Sequence, residues 1–351
     1  MVQERERRPS RDGVVTFGEL LLRLAPVRPL RLEQASSFEV SYGGAEANVA
    51  VGLACLGIRS RFVSRLPENP LGAAGRRHLR GFGVDTRWVL NGGQRLGLYF
   101  VEPGAAQRPS QVLYDRAASS LATIEPGMVP WAAALEGWQW FHTSGITPAI
   151  SESAYATTIE GLAAARRLSL RTSVDLNFRA KLWDWGRSAR TVMTEVIALA
   201  DVVFCNELDL QTIFAIPTPD ADEAGIDPRS YEPACRELQR RFPNVTMVAM
   251  TLRTALSASH NRWTAIVVDG EAAYTARRYD VNPVIDRVGA GDAFAAAAIS
   301  RMLGGADHQE MVDFAAAASC LKHSIAGDFN VISVDEVRRL VAGDGSGRIV
   351  R

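Results

Sequence analysis

The segment Asp286-Arg-Val-Gly-Ala-Gly-Asp292 places an acid beside two glycines, directly before an alanine-rich run that starts at Ala293. Glycines at 289 and 291 let the backbone approach a ligand closely, and the first N–H groups of a helix have no partner inside the helix. With the helix dipole, such amides form a ready site for an anion, above all a phosphate. Asp292 falls in that first turn. A carboxylate beside a phosphate is repelled by it unless it has a task, and taking the proton from a hydroxyl that attacks phosphorus is such a task. The plain alternative is an aspartate that only stabilises a helix start. A second glycine pair, Gly43-Gly44, opens another apolar helix and is followed by Asn48. An asparagine one turn into such a helix is a candidate hydrogen-bonding group for a polyol, with capping or packing as its plain alternative.

These residues need a scaffold, and the periodicity supplies one. Residues 14–18 read as a buried strand ending in a glycine turn, 20–24 stay extended until Pro26 and Pro29, and 43–57 keep helical spacing with Gly57 as a C-cap. A strand at 61–64, a helix at 71–82 and a hairpin of 98–102 with 111–115 follow. From about residue 138 strands and helices alternate (140–142, 151–169, 171–176, 188–199, 202–205 and 207–213), which implies a parallel sheet with helices on its faces. Residues 217–229 read as an exposed excursion before a helix at 232–241, strands at 245–251 and 263–268, and helices at 290–302, 310–322 and 334–341. Both ends, 1–12 and 343–351, read as loose tails, leaving 13–342 as a single domain.

Composition narrows the function classes. The chain has 351 residues, 39 basic against 39 acidic, so no basic surplus points to a nucleic-acid partner. No apolar stretch approaches the roughly 20 residues needed to span a bilayer. The first twelve residues carry both signs of charge and no apolar run follows, so a secretory leader is not expected and a cytoplasmic location is. Four cysteines (Cys55, Cys205, Cys235, Cys320) are widely spaced and form no CxxC pair, which points to reduced, mostly buried thiols. Lys181 and Lys322 are the only lysines, and neither follows a glycine, so a P-loop is excluded.

Gly43-Gly-Ala-Glu-Ala-Asn-Val-Ala50 together with Asp286-Arg-Val-Gly-Ala-Gly-Asp292 resembles the two signatures of the ribokinase/PfkB carbohydrate kinases, over about residues 14–340. The resemblance implies a doubly wound, mostly parallel α/β sheet with a small β lid, here from segments near 20–42 and 95–118. It implies ATP-dependent phosphorylation of a hydroxymethyl group with Mg²⁺. It assigns Asp292 as the base and the amides of Gly289, Ala290 and Gly291 as the anion hole. Asn206 and the strand end at Thr251 and Arg253 fall on the nucleotide side, and Lys322 and His323 fall where the adenine pocket is built, with surface positions as the alternative.

Several segments look most like the branch acting on 2-keto-3-deoxygluconate: Gly97-Leu-Tyr99, Tyr114-Asp-Arg116, the strand end around Ile146, Asp175-Leu-Asn-Phe-Arg179, and Gly327-Asp328 at 36 residues beyond Asp292. Arg179 and Arg116, with Tyr99 and Tyr114, would hold a carboxylate. Asp328 would accept from a sugar hydroxyl, and Gly44 would let the sugar lie against the backbone. Fructokinases of the family share the Asp-x-Asn-x-Arg pattern, so a neutral-sugar kinase is the runner-up. The chain departs from the family twice. Arg287 stands where Thr or Pro is usual, which removes the basis for carrying over a monovalent-cation site and leaves a nucleotide phosphate as its candidate contact. The usual Thr-x-Gly-x-x-Gly loop reads Thr251-Leu-Arg-Thr-Ala-Leu-Ser-Ala-Ser259 without a glycine. Arg253, Ser257 and Ser259 are its candidate replacements for phosphate contact, and a sensor without catalysis is the alternative from another class. An exposed lid edge also offers a surface for a homo-oligomer.

Overall fold

The structure, a computed structural model, describes residues 12–27, 30–219 and 227–345. Nearly all of the N-terminal tail, the end of the C-terminal tail and the centre of the 217–229 excursion lie outside those residues. Along the chain run β1 (Val14–Phe17), β2 (Leu21–Pro26), β3 (Phe38–Gly43), α1 (Ala45–Cys55), β4 (Ser60–Leu66), α2 (Pro70–Gly81), β5 (Val89–Asn91), β6 (Gly97–Glu102) and β7 (Gln111–Asp115). Then come α3 (Trp131–Leu135), β8 (Trp140–Ser144), α4 (Ile146–Ile150), α5 (Glu152–Arg167), β9 (Arg171–Asp175), α6 (Ala189–Ile197), β10 (Val202–Asn206), α7 (Glu207–Phe214) and α8 (Glu232–Arg241). The last third holds β11 (Met247–Ser257), β12 (His260–Val268), β13 (Ala273–Thr275), β14 (Tyr279–Val281), α9 (Ala290–Leu303), α10 (His308–Lys322) and α11 (Val334–Val341).

The large sheet runs β13-β12-β11-β10-β9-β8-β1-β4-β5, with β14 paired to β12. From β11 to β5 every pairing is parallel, and β12 to β14 add an antiparallel edge. Strands such as Val14–Phe17 are buried throughout, as a sheet covered on both faces requires. Alternate residues feed two apolar clusters. Val15, Phe17, Phe141, Val203 and Val248 join the side packed by α3, α5, α6 and α8. Val14, Trp140, Val202, Phe204 and Met247 join the side packed by α1, α9, α10 and α11. The described cysteines are all free thiols.

A separate four-stranded sheet, β3-β2-β6-β7, stands beside the carboxyl ends of the parallel strands. Its strands alternate between two faces. Leu21, Tyr99 and Tyr114 lie on one, while Leu24, Val40, Phe100 and Leu113 form a cross-strand row on the other. β2 extends through Pro26 rather than stopping before it, because a proline at the last position of a strand costs few ladder bonds.

One expectation fails in an informative way. The strand at 245–251 does not give way to a loop after Thr251. β11 continues to Ser257 and turns back into β12, with one irregularity between Ala255 and Ser257. Without a glycine to leave the ladder, Thr251 to Ala255 simply keep pairing with residues 261–265.

Candidate active site

Parallel α/β sheets bind ligands at the carboxyl ends of their strands. Here Ser144, Asp175 and Asn206 end three adjacent parallel strands, and Thr251 pairs with Asn206 on the fourth, β11, which runs on to Ser257. Above them lies a cavity of about 610 Å³ whose walls come from these ends, the start of α9, α1 and the small sheet. Gly44, Asn48, Tyr99, Tyr114, Arg116, Ile146, Arg179, Asn206, Thr251, Arg253, Gly289, Ala290, Gly291, Asp292 and Asp328 all line it.

The start of α9 is built by conformation and clearance. Gly289 is the N-cap at φ +84°, and a Cβ there would sit 2.2 Å from the Asp328 carbonyl oxygen. Gly291 has nothing within 4 Å of where its Cβ would be, so it presents bare backbone to the cavity. The Gly291 and Asp292 amides have no backbone partner among the described residues. That leaves two N–H groups at the positive end of a 14-residue helix.

Asp292 is buried, and Asn48 Nδ2 donates to its Oδ2 at 2.6 Å. Burial pushes its pKa up to about 7; the Asn48 hydrogen bond and Arg179 act downward, and the Asp328 and Glu46 charges act upward. Asn48 Oδ1 accepts from Gly44 N–H at 3.2 Å, so this side chain ties one glycine turn to the acid of the other. Its donor faces the Asp292 carboxylate, with the Asp328 carboxylate at 3.5 Å. Gly44 is likewise explained from within. At φ +154°, its Cβ would lie 2.0 Å from the Glu19 carbonyl oxygen, so the chain itself requires the glycine. Gly43 leaves room for the Asp328 carboxylate, 2.2 Å from where its Cβ would be.

Asp328 accepts from Tyr99 Oη at 2.6 Å and from Arg23 Nη1 at 2.7 Å. Tyr99 stacks on Tyr114 at 6.1 Å, and burial with the Asp328 charge raises its pKa well above the usual range, so it stays a phenol donor. Arg116 differs from expectation. Its guanidinium is buried in an ion pair with Glu19, which also accepts from Ser119 Oγ, and it lies 5.6 Å from the Tyr114 ring centroid. A charge already neutralised within the protein is a poor primary partner for a ligand carboxylate. Arg179 is exposed and donates only to its neighbour's carbonyl, Phe178 O, at 2.8 Å; no carboxylate within 4 Å pairs with it among the described residues.

On the other side, Asn206 Oδ1 caps α7 by accepting from Asp209 N–H at 3.0 Å. Asp209 returns the bond to Asn206 N–H and accepts from Phe178 N–H. Asn206 is thus a capping residue whose amide Nδ2 remains for a ligand. Arg253 projects from β11 and Arg287 from the turn before α9. Burial and the Arg253 charge push the Arg287 pKa down. Arg287 donates to the Ala258 carbonyl at 2.6 Å, and neither arginine has a carboxylate partner among the described residues. Ser257 and Ser259 do not line the cavity. Ser257 Oγ accepts from Ser259 N–H, and the β6–β7 loop rests on the hairpin tip through Ala258 N–H to Ala106 O at 2.7 Å. Lys322 is neither a surface residue nor on the cavity wall; it is buried and donates to Ile325 O at 3.0 Å. His323 is buried behind Trp263 at 5.1 Å, neutral with a pKa near 4 from burial, and Trp263 faces the cavity in its place.

Residue patterns alone passed over several groups. Glu46, in the first turn of α1, is buried and accepts from Ser144 N–H, Ser144 Oγ and Thr147 Oγ1 at 2.7–2.9 Å. Asp175 lines the cavity floor with its pKa raised by burial and by Asp209 and Asp292. Arg23 sits beneath Asp328. A charge inside Leu-Leu-Arg-Leu or Ala-Glu-Ala is itself a signal, because such a group is buried only with a partner.

With this geometry in place, the comparisons are decisive about kinship. The family described as pfkB family carbohydrate kinase matches residues 11–328. The chain belongs to the PfkB family of carbohydrate kinases. It is similar to a 2-dehydro-3-deoxygalactonokinase of Haloferax volcanii, 34% identical over 334 residues, covering 95% of this chain and 98% of the relative. A solved 2-dehydro-3-deoxygluconokinase from Thermotoga maritima superposes with a TM-score of 0.90 at 43% identity, covering 95% of this chain and all of that one. A PfkB family carbohydrate kinase from Listeria grayi gives 0.87 at 34%, covering 94% and 99%. The PfkB fold, a large α/β sheet flanked by helices, is the fold observed, and the chain is a carbohydrate kinase.

A carboxyl raised from 3.8 to about 7 binds its proton more tightly folded than unfolded. Its burial therefore costs stability progressively as pH rises from about 4 to 7, by on the order of 2–4 kcal/mol at full ionisation. Asp292→Asn should melt higher than the parent at pH 8, with the gap shrinking toward pH 5. Calorimetry showing no gap, or the reverse trend, would contradict the burial of a charged Asp292.

Proposed function

We propose that this kinase transfers the γ-phosphoryl group of ATP to the terminal hydroxyl of a 2-keto-3-deoxy sugar acid, giving the 6-phosphate of 2-keto-3-deoxygluconate or of its galactonate epimer. The observation that carries the reading is Arg179, an exposed arginine on the cavity wall that makes no ion pair within 4 Å among the described residues and stands near the acids Asp175, Asp209 and Asp292. An anionic sugar needs such a cation, whereas a neutral sugar gains little from it. The names of the Haloferax and Thermotoga relatives support the same class. We assign the sugar to the side of Tyr99, Tyr114, Ile146, Arg179 and Asp328, and the nucleotide to the side of Asn206, Thr251, Arg253 and Arg287.

The residues fit a triphosphate. Arg253 and Arg287, neither in an ion pair within 4 Å among the described residues, repel each other unless an anion lies between them, and two amides without a backbone partner at the α9 start line the same cavity. Mg²⁺ typically keeps several waters and adds phosphates to one or two carboxylates. No group of three or more His, Cys, Asp or Glu able to hold a metal occurs among the described residues, and Glu207 and Asp209 are the carboxylates beside Arg253 and Asn206. Mg²⁺ bound with the nucleotide would supply charge neutralisation on the phosphate oxygens.

Asp292, held by Asn48, accepts the proton of the sugar hydroxyl. The freed oxygen forms a bond to the γ-phosphorus as the bond to ADP breaks, and the proton leaves to solvent after release. The Gly291 and Asp292 amides face the charge on the transferred group. The small sheet closes over the sugar and excludes water, the role of a lid. Nothing in this scheme needs a membrane or a nucleic acid, and a cytoplasmic location fits an ATP-consuming enzyme with free thiols.

Asp292→Asn should fold and lose kcat by roughly 10²–10⁴, the usual worth of a general base. Because the base must be ionised, kcat/KM should rise with pH through about 7. Asn48→Ala removes a bond that lowers the pKa and should move that rise to higher pH. A retained turnover in Asp292→Asn, or an unmoved rise in Asn48→Ala, refutes the assignment.

A coupled ADP-release assay over 2-keto-3-deoxygluconate, its galactonate epimer, fructose and ribose tests the substrate class. Arg179→Ala should raise KM for the sugar acids roughly 10–100-fold, as expected for a lost charge-assisted hydrogen bond, and leave neutral sugars unchanged. Preference for fructose in the parent enzyme would make it a fructokinase instead, while ATP binding without turnover would make it a sensor.

The outer row Leu24, Val40, Phe100 and Leu113 crosses all four lid strands, and Val40 and Leu113 are 60% and 58% exposed. We assign it to pairing with the lid of a second copy, since an apolar row on a sheet face is self-complementary. Val40→Asp with Leu113→Asp should convert the species seen by light scattering to a monomer. A parent that is already monomeric at high concentration excludes the pairing.

A further inference from the structure

Arg23 is a lid residue with its charge buried under the active site. It lies on β2, only 3% exposed, on the face that looks toward the cavity. Its Nη2 donates to Asp286 Oδ2 at 2.5 Å and its Nη1 to Asp328 Oδ1 at 2.7 Å. Those acids are 263 and 305 residues away in sequence. Each acid then holds something the reaction uses. Asp286 accepts from Val288 N–H and Gly327 N–H, both at 3.1 Å, and so fixes the turn that delivers Gly289 to Asp292. Asp328 accepts from Tyr99 Oη, approaches Asn48 Nδ2 at 3.5 Å, and lines the cavity.

We propose that Arg23 is a positioning residue for phosphoryl transfer, a two-pronged strut from lid strand β2 that fixes both the turn before α9 and the sugar-facing carboxylate of Asp328. The assignment rests on the reading of the cavity as a sugar-phosphorylating site, but the strut itself is independent of which sugar is used. Its physical logic is charge and geometry together. Asp286 and Asp328 are both buried on one guanidinium, Asp328 raises the pKa of Asp292, and such carboxylates repel unless cations stand among them, here Arg23 with the Lys322 ammonium acting on the same acids. A planar guanidinium serves two acids at once in fixed directions, which a lysine ammonium, a single point charge, does not reproduce. Gly43 and Gly289 supply the clearance: side chains there would strike the Asp328 carboxylate and its carbonyl. The same strut pins the near end of the lid. Tyr99 on β6 reaches the same acid, so β2 and β6 are both held to the turn before α9.

The test compares the full-length enzyme with Arg23→Lys, Arg23→Met and the pair Arg23→Met with Asp286→Asn. Hydrogen exchange is read first, since it needs no substrate. Exchange at the Val288 and Gly327 amides, which donate to Asp286, should rise at least tenfold in Arg23→Met, while β9 and β10 stay protected. Steady-state assays on the sugar the parent accepts best should then show kcat/KM for sugar down about 10²-fold and KM for ATP within twofold. Arg23→Lys should recover thermal stability but only part of kcat/KM. The paired variant removes one buried acid with the cation and should regain stability without regaining sugar kcat/KM. Unchanged exchange, full activity in Arg23→Lys, or full activity in the paired variant would each overturn the proposal, the last by reducing Arg23 to a counter-charge. A parent that phosphorylates none of the sugars would refute the substrate reading, and the exchange result would still decide whether the strut exists.

Discussion

A carboxylate kept out of water beside the open end of a helix is the constraint on which this molecule is arranged. Asp292 sits in the first turn of α9, where unpaired amides attract negative charge, yet burial and neighbouring acids oppose its ionisation. The balance leaves it near neutrality in pH, able both to hold and to release a proton. Such poise is unstable to small shifts, since each unit of pKa corresponds to about 1.4 kcal/mol. The surrounding architecture limits those shifts. Asn48 clamps the acid to the first glycine turn, Glu46 is saturated by Ser144 and Thr147, and Arg23 stands between Asp286 and Asp328. Asp292, Glu46 and the Asp286–Asp328 pair are thereby each given a different partner.

The side we assign to the nucleotide follows a different logic from the glycine-rich loop usual in the family. A loop of bare amides binds phosphate through the backbone; a regular hairpin has its amides committed to pairing. Here the hairpin of β11 and β12 carries side-chain cations instead, with Arg253 on its strand and Arg287 hydrogen-bonded to its tip. The β6–β7 loop touches that same tip at Ala258. Lid, hairpin and helix start therefore meet at one corner, so the ends of the cavity are mechanically joined although they derive from distant parts of the chain.

Much was legible before any coordinates. Continuous apolar runs such as Val14–Phe17 and caps such as Ser151 mark elements through local rules that act within a few residues. The glycines at 289 and 291 and the acid at 292 likewise announce a helix start exposed to an anion, because the requirement is local. Short pieces escaped: β5, β13, α3 and α4 have three to five residues, too few for a period to emerge, and the six-residue β3 is held by its pairing with β2.

What residue order alone settled was therefore the inventory: which side chains can do proton and phosphate chemistry, and which segments can carry them. Partnership was decided only by the folded chain. Arg116 and Arg179 read alike, yet one is spent on Glu19 and the other is open. Asn48 read as a sugar contact and donates to Asp292, and the arginine in Leu-Leu-Arg-Leu pairs with two acids more than 260 residues away. Burial and charge pairing depend on which surfaces meet in space, and sequence separation carries no information about that until the sheet has assembled.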